Sequence, residues 1–187
     1  MGFALAQAAS ELGAEVTVIS GPVALATPQA VSRVDVVSAQ DMLAAVTDAT
    51  ECCDIFISAA AVADYRVKSI AEQKIKKSQS EFSLELVRNP DIVSGVTANS
   101  NVKFVVGFAA ETQDLINNAK DKLQRKNLDM VIANDVAQSD RGFDVDTNQV
   151  NVVWNEGEEA LPLMSKQALA QRLMELIAER YYAKSTS

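Results

Sequence analysis

Apolar positions along this 187-residue chain fall into short blocks, and the spacing within each block predicts its conformation. Phe3 to Leu12 carries alanine and leucine at helical spacing, and Gly13 follows as a helix C-cap glycine would. Glu15 to Ser20 predicts a strand with Gly21-Pro22 as its turn, and Val31 to Val37 a second strand centred on Val34 to Val37. Ser38, with Asp41 three residues on, predicts a capping box for a helix over Ala39 to Thr47. Ile55-Phe56-Ile57 is too short for a helix and predicts a buried central strand.

The pattern then changes. Arg66 to Glu81 is polar and lacks a core stripe, so it predicts a loop or flap, and Phe82 to Val87 alternates as a half-buried antiparallel strand does. Asn89-Pro90-Asp91 predicts a helix start, with Asn89 as N-cap and Pro90 at the first helical position, running to about Val96. Strands are predicted at Val102 to Phe108, Leu128 to Ala133 and Gln149 to Trp154, with a helix at Leu115 to Arg125. Ser139 to Asn148 predicts a polar loop, whose aspartates lack the glutamate that would close a calcium loop. Asn155 to Glu158 predicts a hairpin turn with Ala160 to Leu163 returning. Ser165 caps a last amphipathic helix, Gln167 to Tyr181, striped by Leu169, Leu173, Leu176 and Ile177, after which the end is expected to fray. Strands alternating with helices imply an α/β fold: one Rossmann-like domain over residues 1–187, a mostly parallel sheet with flanking helices, a basic flap and a C-terminal hairpin. Such folds open with a strand and a glycine-rich turn ahead of the first helix. This chain opens inside that unit, so its first strand and glycine-containing loop are expected to be missing.

Composition narrows the function. An apolar share of 48% and a charged share of 22% are those of a globular protein, and no apolar run has the length of a membrane span. A net charge of −8 argues against a general nucleic-acid binder, so an anionic ligand needs a local basic cluster. Adjacent Cys52 and Cys53 cannot close a long loop, which suits a reducing cytoplasm. Histidine is absent, which removes Ser-His-Asp and Cys-His catalysis. Any chemistry runs on lysine, aspartate, asparagine, backbone dipoles or a bound cation.

The candidate chemistry sits where strands end. Ser58 to Ala61 are small, which either admits a flat or phosphorylated ligand to the backbone or packs under a helix, and Asp64 beyond them suits a ribose hydroxyl or a metal. Lys74-Ile75-Lys76-Lys77 is a basic cluster in an acidic chain. Gly107 permits close backbone approach, and Phe108 offers either a stacking face or a core side chain. Lys120, Lys122, Arg125 and Lys126 gather at the end of a helix, where they also complement its dipole. A GxGxxG fingerprint is absent, which weakens a nicotinamide-dependent reductase reading.

Together, ISAAAVADYR at 57–66, EQKIKK at 72–77, LVRNPDIV at 86–93, VVGFAAET at 105–112 and KNLDMVIANDV at 126–136 resemble the phosphopantothenate–cysteine ligase family. In bacteria that ligase is usually the second half of a bifunctional coenzyme A biosynthesis protein, behind an FMN-dependent decarboxylase domain absent here. The resemblance implies a CTP-dependent enzyme with magnesium, in which the carboxylate of 4′-phosphopantothenate attacks the α-phosphate of CTP. The amine of L-cysteine then displaces CMP from the acyl-cytidylate. It further implies that Ser58, Ala59 and Ala60 line the nucleotide and that Asp64 stands beside its ribose or a metal. By the same likeness Lys74 is catalytic, holding the triphosphate, while Pro90, Asp91, Ile92 and Val93 present a helix start, Phe108 packs against the nucleotide and Lys122 and Lys126 complete the cationic side. It implies a homodimer.

One departure matters. The family pattern places a strand, a glycine-containing loop and an Asn-x-Ser-Ser-Gly-Lys segment ahead of Met-Gly-Phe, and the asparagine belongs to the second half-reaction. Nucleotide binding is therefore expected of this chain more than turnover. An inactive Rossmann-like partner or regulatory subunit is the alternative of a different class.

Overall fold

The computed structural model describes residues 1–71, 73–76, 81–99, 101–111, 113–135 and 146–186. Helix α1 (Gly2–Glu11) leads through Gly13, at φ 88°, into strand β1 (Val16–Ser20), which pairs in parallel with β2 (Val31–Asp35). Positive φ is the conformation glycine adopts without a Cβ clash, so Gly13 ends the helix as its position predicts. The Ser38–Asp41 box forms in both directions, at 3.1 and 2.9 Å, and starts α2 (Ala39–Ala49). Strand β3 is Ile55–Ser58, and a small antiparallel pair, β4 (Tyr65–Val67) with β5 (Leu86–Arg88), forms the root of the flap. Then come α3 (Ile92–Thr97), β6 (Phe104–Glu111), α4 (Leu115–Arg125), β7 (Met130–Asp135), β8 (Thr147–Trp154), β9 (Gly157–Ser165) and α5 (Lys166–Ser185).

The main sheet has the order β3-β6-β7-β8-β9, parallel from β3 to β7 and antiparallel beyond. Alternation on its strands divides the core. Phe104, Val106, Met130, Ile132, Val150 and Val152 face α1 and α5, while Val105, Ala109, Val131, Ala133 and Val153 face α2, α3 and α4. The stripe Leu169, Leu173, Leu176 and Ile177 is completely buried, each side chain stabilising by about 1.5–3 kcal/mol relative to exposure. The α/β class with a parallel-rich sheet and flanking helices is therefore as the pattern of apolar blocks predicts.

Several local expectations are corrected. Strand β3 is an edge of the main sheet and only half-buried, not a buried central strand, because no hydrogen bond joins it to β1. Both strands nevertheless share the two helical layers: Val16 and Ile57 pack with α1, and Ile19 and Phe56 with α2. Only Leu86 and Val87 of the expected 82–87 strand are in β5, and Phe82, Leu84 and Leu86 are exposed rather than half-buried. The cap of α3 is Asp91, whose carboxylate accepts from the Ser94 amide at 3.0 Å; Asn89 is engaged elsewhere and Pro90 precedes the cap. A Cβ on Gly107 would lie 2.8 Å from Leu128 Cδ1, so packing under a buried leucine, not ligand approach, explains that glycine. The C-terminal turn is tied down, Lys184 bonding Asp129 at 2.5 Å and the Lys103 carbonyl at 2.8 Å. Strands β6 and β9 are longer than expected, and most of the predicted 139–148 loop lies outside the described residues.

Candidate functional site

Register sets the tip of β3 beside the middle of β6. Ser58 of β3 lies beside Gly107 of β6, so Ala59 and Phe108 follow at the same end of the sheet. The start of α1 reaches that end as well, since a Cβ on Gly2 would stand 3.6 Å from Ala59 Cβ. Two cations arrive from α4. Its apolar side buries Ala119 and Leu123, which holds Lys122 over the middle of β6, where its ammonium donates to the Phe108 carbonyl at 2.6 Å. Lys126, four residues and one turn later, forms an ion pair with Asp91 and donates to Ser94 Oγ at 3.2 Å. Lys122 is thus set against Phe108, midway along β6 and one residue past the level of the β3 tip, while Lys126 is set against Asp91 and Ser94 at the start of α3.

Burial pushes the Lys122 ammonium below the usual lysine value of 10.5, against the pull of the Glu111 carboxylate, and nearby Arg125 pushes it the same way. An open polar cleft of about 840 Å³ runs beside it, lined by Glu111, Asn118, Asp121, Lys122, Gln124 and Arg125. The acid in that wall is ordered, Asn118 donating to Glu111 Oε2 at 3.0 Å. Burial likewise raises the Cys53 thiol, which keeps it protonated and unreactive as its place before a strand suggests.

The remaining predicted residues distribute unevenly. Ser58 and Ala59 are half-buried at the β3 tip, and Ala60 and Asp64 are exposed just beyond. Ile92 is buried and Val93 packs against the same cluster, so their side chains belong to the core and only their backbone can serve a ligand. Pro90 is exposed, joining β5 to α3. Phe108 packs against the α1–α5 side of the core, the commoner fate of such a ring. Lys74 is exposed in the flap, next to a 460 Å³ groove lined by Val67, Ile75, Phe82 and Leu84 among others, and among the described residues it bonds to none of the α4 group. Lys77 lies outside the described residues.

Three residues have roles that the sequence pattern did not announce. Asn134, placed inside β7 rather than beyond it, is buried at 9% exposure with Oδ1 unpartnered among the described residues, on the sheet face shared with Phe108. A polar residue closing the apolar run Met130 to Ala133 was the available signal. Arg66 and Asn89 form a knot at the flap root: Asn89 Nδ2 donates to the Ala63 carbonyl at 2.8 Å, and Arg66 donates to Asn89 Oδ1 at 3.1 Å. Nothing in sequence spacing announces that pair, 23 residues apart. Among the described residues no three histidine, cysteine, aspartate or glutamate side chains gather as a metal site. Nor, among them, is any helix long and apolar enough to cross a membrane.

Parallel strands β3, β6 and β7 between two helical layers, with Lys122 held over β6 just past the level of the β3 tip, define a Rossmann-like α/β architecture. Comparison with known proteins is consistent with that class and narrows it. Residues 1–181 match the DNA/pantothenate metabolism flavoprotein C-terminal domain, and the chain belongs to that family. It is 53% identical over 183 residues to the coenzyme A biosynthesis bifunctional protein CoaBC of Vibrio cholerae, covering 96% of this chain and 46% of that one. Its identity to the CoaBC of Escherichia coli K12 is 48% over 189 residues, covering 99% and 47%. The solved C-terminal domain of a CoaBC superposes with a TM-score of 0.78 at 37% identity, covering 94% of this chain and 79% of that one. The chain thus spans about half the length of the curated relatives it matches.

Proposed function

We propose that this chain is the phosphopantothenate–cysteine ligase part of a coenzyme A biosynthesis protein, acting in the cytoplasm. The observation that carries the reading is a pair of lysines one helical turn apart at the end of α4, Lys122 over β6 just past the level of the β3 tip and Lys126 against the start of α3, in a chain of net charge −8. Likeness to CoaBC proteins across nearly all of this chain, though under half of theirs, supports the pathway.

In this reading CTP lies across the tip of β3 and the adjoining part of β6 around Phe108. Ser58, Ala59 and Ala60 border the nucleotide, Asp64 holds its ribose, and Lys122 and Lys126 face its anionic side. Lys74 approaches from the flap and neutralises charge as the 4′-phosphopantothenate carboxylate displaces pyrophosphate from the α-phosphate. The acyl-cytidylate then loses CMP to the amine of L-cysteine. Such a transfer is governed by positioning and charge neutralisation, which a site without histidine can supply. Magnesium would come with the triphosphate and help to neutralise its charge, since among the described residues no cluster of three carboxylate, thiol or imidazole side chains gathers to hold it. For Lys126 to engage a phosphate it must share or release Asp91 Oδ2, so the ligand's charge competes with that carboxylate for the ammonium while Oδ1 goes on capping α3.

The domain is completed by one further strand between β1 and β3. Their facing edges are unpaired, and both helical layers pack against the two of them. The exposed apolar side chains of the flap support a homodimer.

Titration calorimetry checks the reading. The chain should bind CTP more tightly than ATP or NAD, with little product formed from 4′-phosphopantothenate and L-cysteine. In the full-length enzyme, Lys74→Gln should abolish the CTP-dependent step and leave the fold intact. Equal affinity for all three nucleotides would favour an inactive Rossmann-like partner.

A further inference from the structure

The knot at the flap root is placed between two parts of the proposed site. Asn89 uses its backbone amide, its side-chain amide and its side-chain carbonyl at once. Its N–H donates to the Asp64 carbonyl at 2.8 Å, and Nδ2 donates to the Ala63 carbonyl at 2.8 Å. Its Oδ1 accepts from Arg66 Nη1 at 3.1 Å, and the same nitrogen donates to the Arg88 carbonyl at 2.9 Å. The backbone bond to Asp64 extends the β4–β5 ladder by one pair beyond Tyr65–Arg88. On the other side, Pro90 separates Asn89 from Asp91, which caps α3 and pairs with Lys126. The proline ring holds φ near −65°, so this two-residue link is stiff.

We infer that Asn89 is a positioning residue, which sets Asp64 at a fixed place relative to the Asp91–Lys126 pair and so aims the Asp64 carboxylate at the nucleotide ribose. Arg66 acts through it by holding Oδ1 and thereby the orientation of the amide. The physical case rests on rigidity. Asp64 is exposed, on a loop that follows the edge strand β3, and a carboxylate there adopts many orientations unless its backbone is held. Two hydrogen bonds from a single asparagine hold the carbonyls of residues 63 and 64, and the same asparagine is tied through Pro90 to the cationic side. A ligand touching both Asp64 and Lys126 then meets a preset spacing, with the ordering of that loop already done. This inference rests on the nucleotide reading above, and the test separates the two.

The probes are CTP and 2′,3′-dideoxy-CTP, which lacks the hydroxyls an aspartate would accept from. Their dissociation constants are measured on the whole chain by calorimetry. The unsubstituted chain should prefer CTP by tenfold or more. Asn89→Ala should bring that preference close to one while leaving dideoxy-CTP affinity within about twofold, which also shows that the site is still folded. Asn89→Asp keeps the acceptor for Arg66 and loses the donor to Ala63, and should retain part of the preference. A preference kept intact in Asn89→Ala, or equal weakening of both nucleotides, would assign Asn89 a merely structural role and overturn the inference. If the unsubstituted chain binds neither nucleotide, the ligase reading itself fails and this inference falls with it. If it binds both equally well, the ribose role of Asp64 is wrong and so is the role of Asn89.

Discussion

Lys122 shows how one side chain serves two opposed ends. It is half-buried beside Phe108, and that burial favours its neutral form. Between its lowered value and 10.5 the folded chain binds fewer protons than the unfolded one. The contribution of Lys122 to folding stability therefore rises as pH rises through that window. Its contribution to binding an anionic nucleotide runs the other way, because the ammonium is the form that attracts phosphate. CTP affinity should therefore decline on the alkaline side at a pH below 10.5, and Lys122→Arg, which stays charged, should remove that decline. Titration calorimetry across alkaline pH measures both, and parallel declines in the two chains would contradict the assignment. The residue types in the cluster were readable in the sequence, because lysines stand out in an acidic chain. The contacts of those lysines were not: whether Lys126 meets a phosphate or Asp91 depends on two helices 35 residues apart in the pair they form.

Helices and most strands followed directly from periodicity, with the Ser38 and Ser165 caps where polar spacing placed them. Elements that failed did so through their neighbours. The β3 sequence is apolar on both faces because helices cover both, yet its edge is open, and one-dimensional pattern does not report which edges are paired. The α3 cap moved two residues because Asn89, the better-looking candidate, is held by Ala63, Asp64 and Arg66. The open edges of β1 and β3 carry a prediction. The direction of a strand between them follows from α1, which starts beside Ala59 and turns at Gly13 into β1, so that β1 and β3 run the same way. Prepending a Val/Thr strand and a Gly-Gly turn to Met1 should slow amide exchange over Ile55–Ser58 by about tenfold or more, as pairing protects an edge. A control strand with prolines at alternate positions should give no protection. Unchanged exchange with the unblocked strand would count against a sheet site there.

For the molecule as a whole, charge and apolar surface are partitioned. The central strands β6 to β8 bury most of their apolar side chains, whereas the flap leaves Tyr65, Ile70, Ile75, Phe82, Leu84 and Leu86 exposed by 54% or more. An isolated two-stranded pair is marginal in water, and Ile70, Ile75, Phe82 and Leu84 of the flap line one groove, an apolar surface that a partner could cover. If a second copy covers it, sedimentation velocity should show a dimer that Phe82→Glu with Leu84→Glu converts to monomer, with the far-ultraviolet circular dichroism of the main fold retained. A monomer before substitution would refute the homodimer. From residue order alone came the α/β class, the succession of elements and the residue types available for chemistry, since period and composition are local properties of a chain. Pairing of strand edges, burial of individual lysines, the route of Asn89's hydrogen bonds and the orphaned acceptor of Asn134 came only with folding. Each of these joins segments far apart in the chain, and such contacts exist only after the layers have packed.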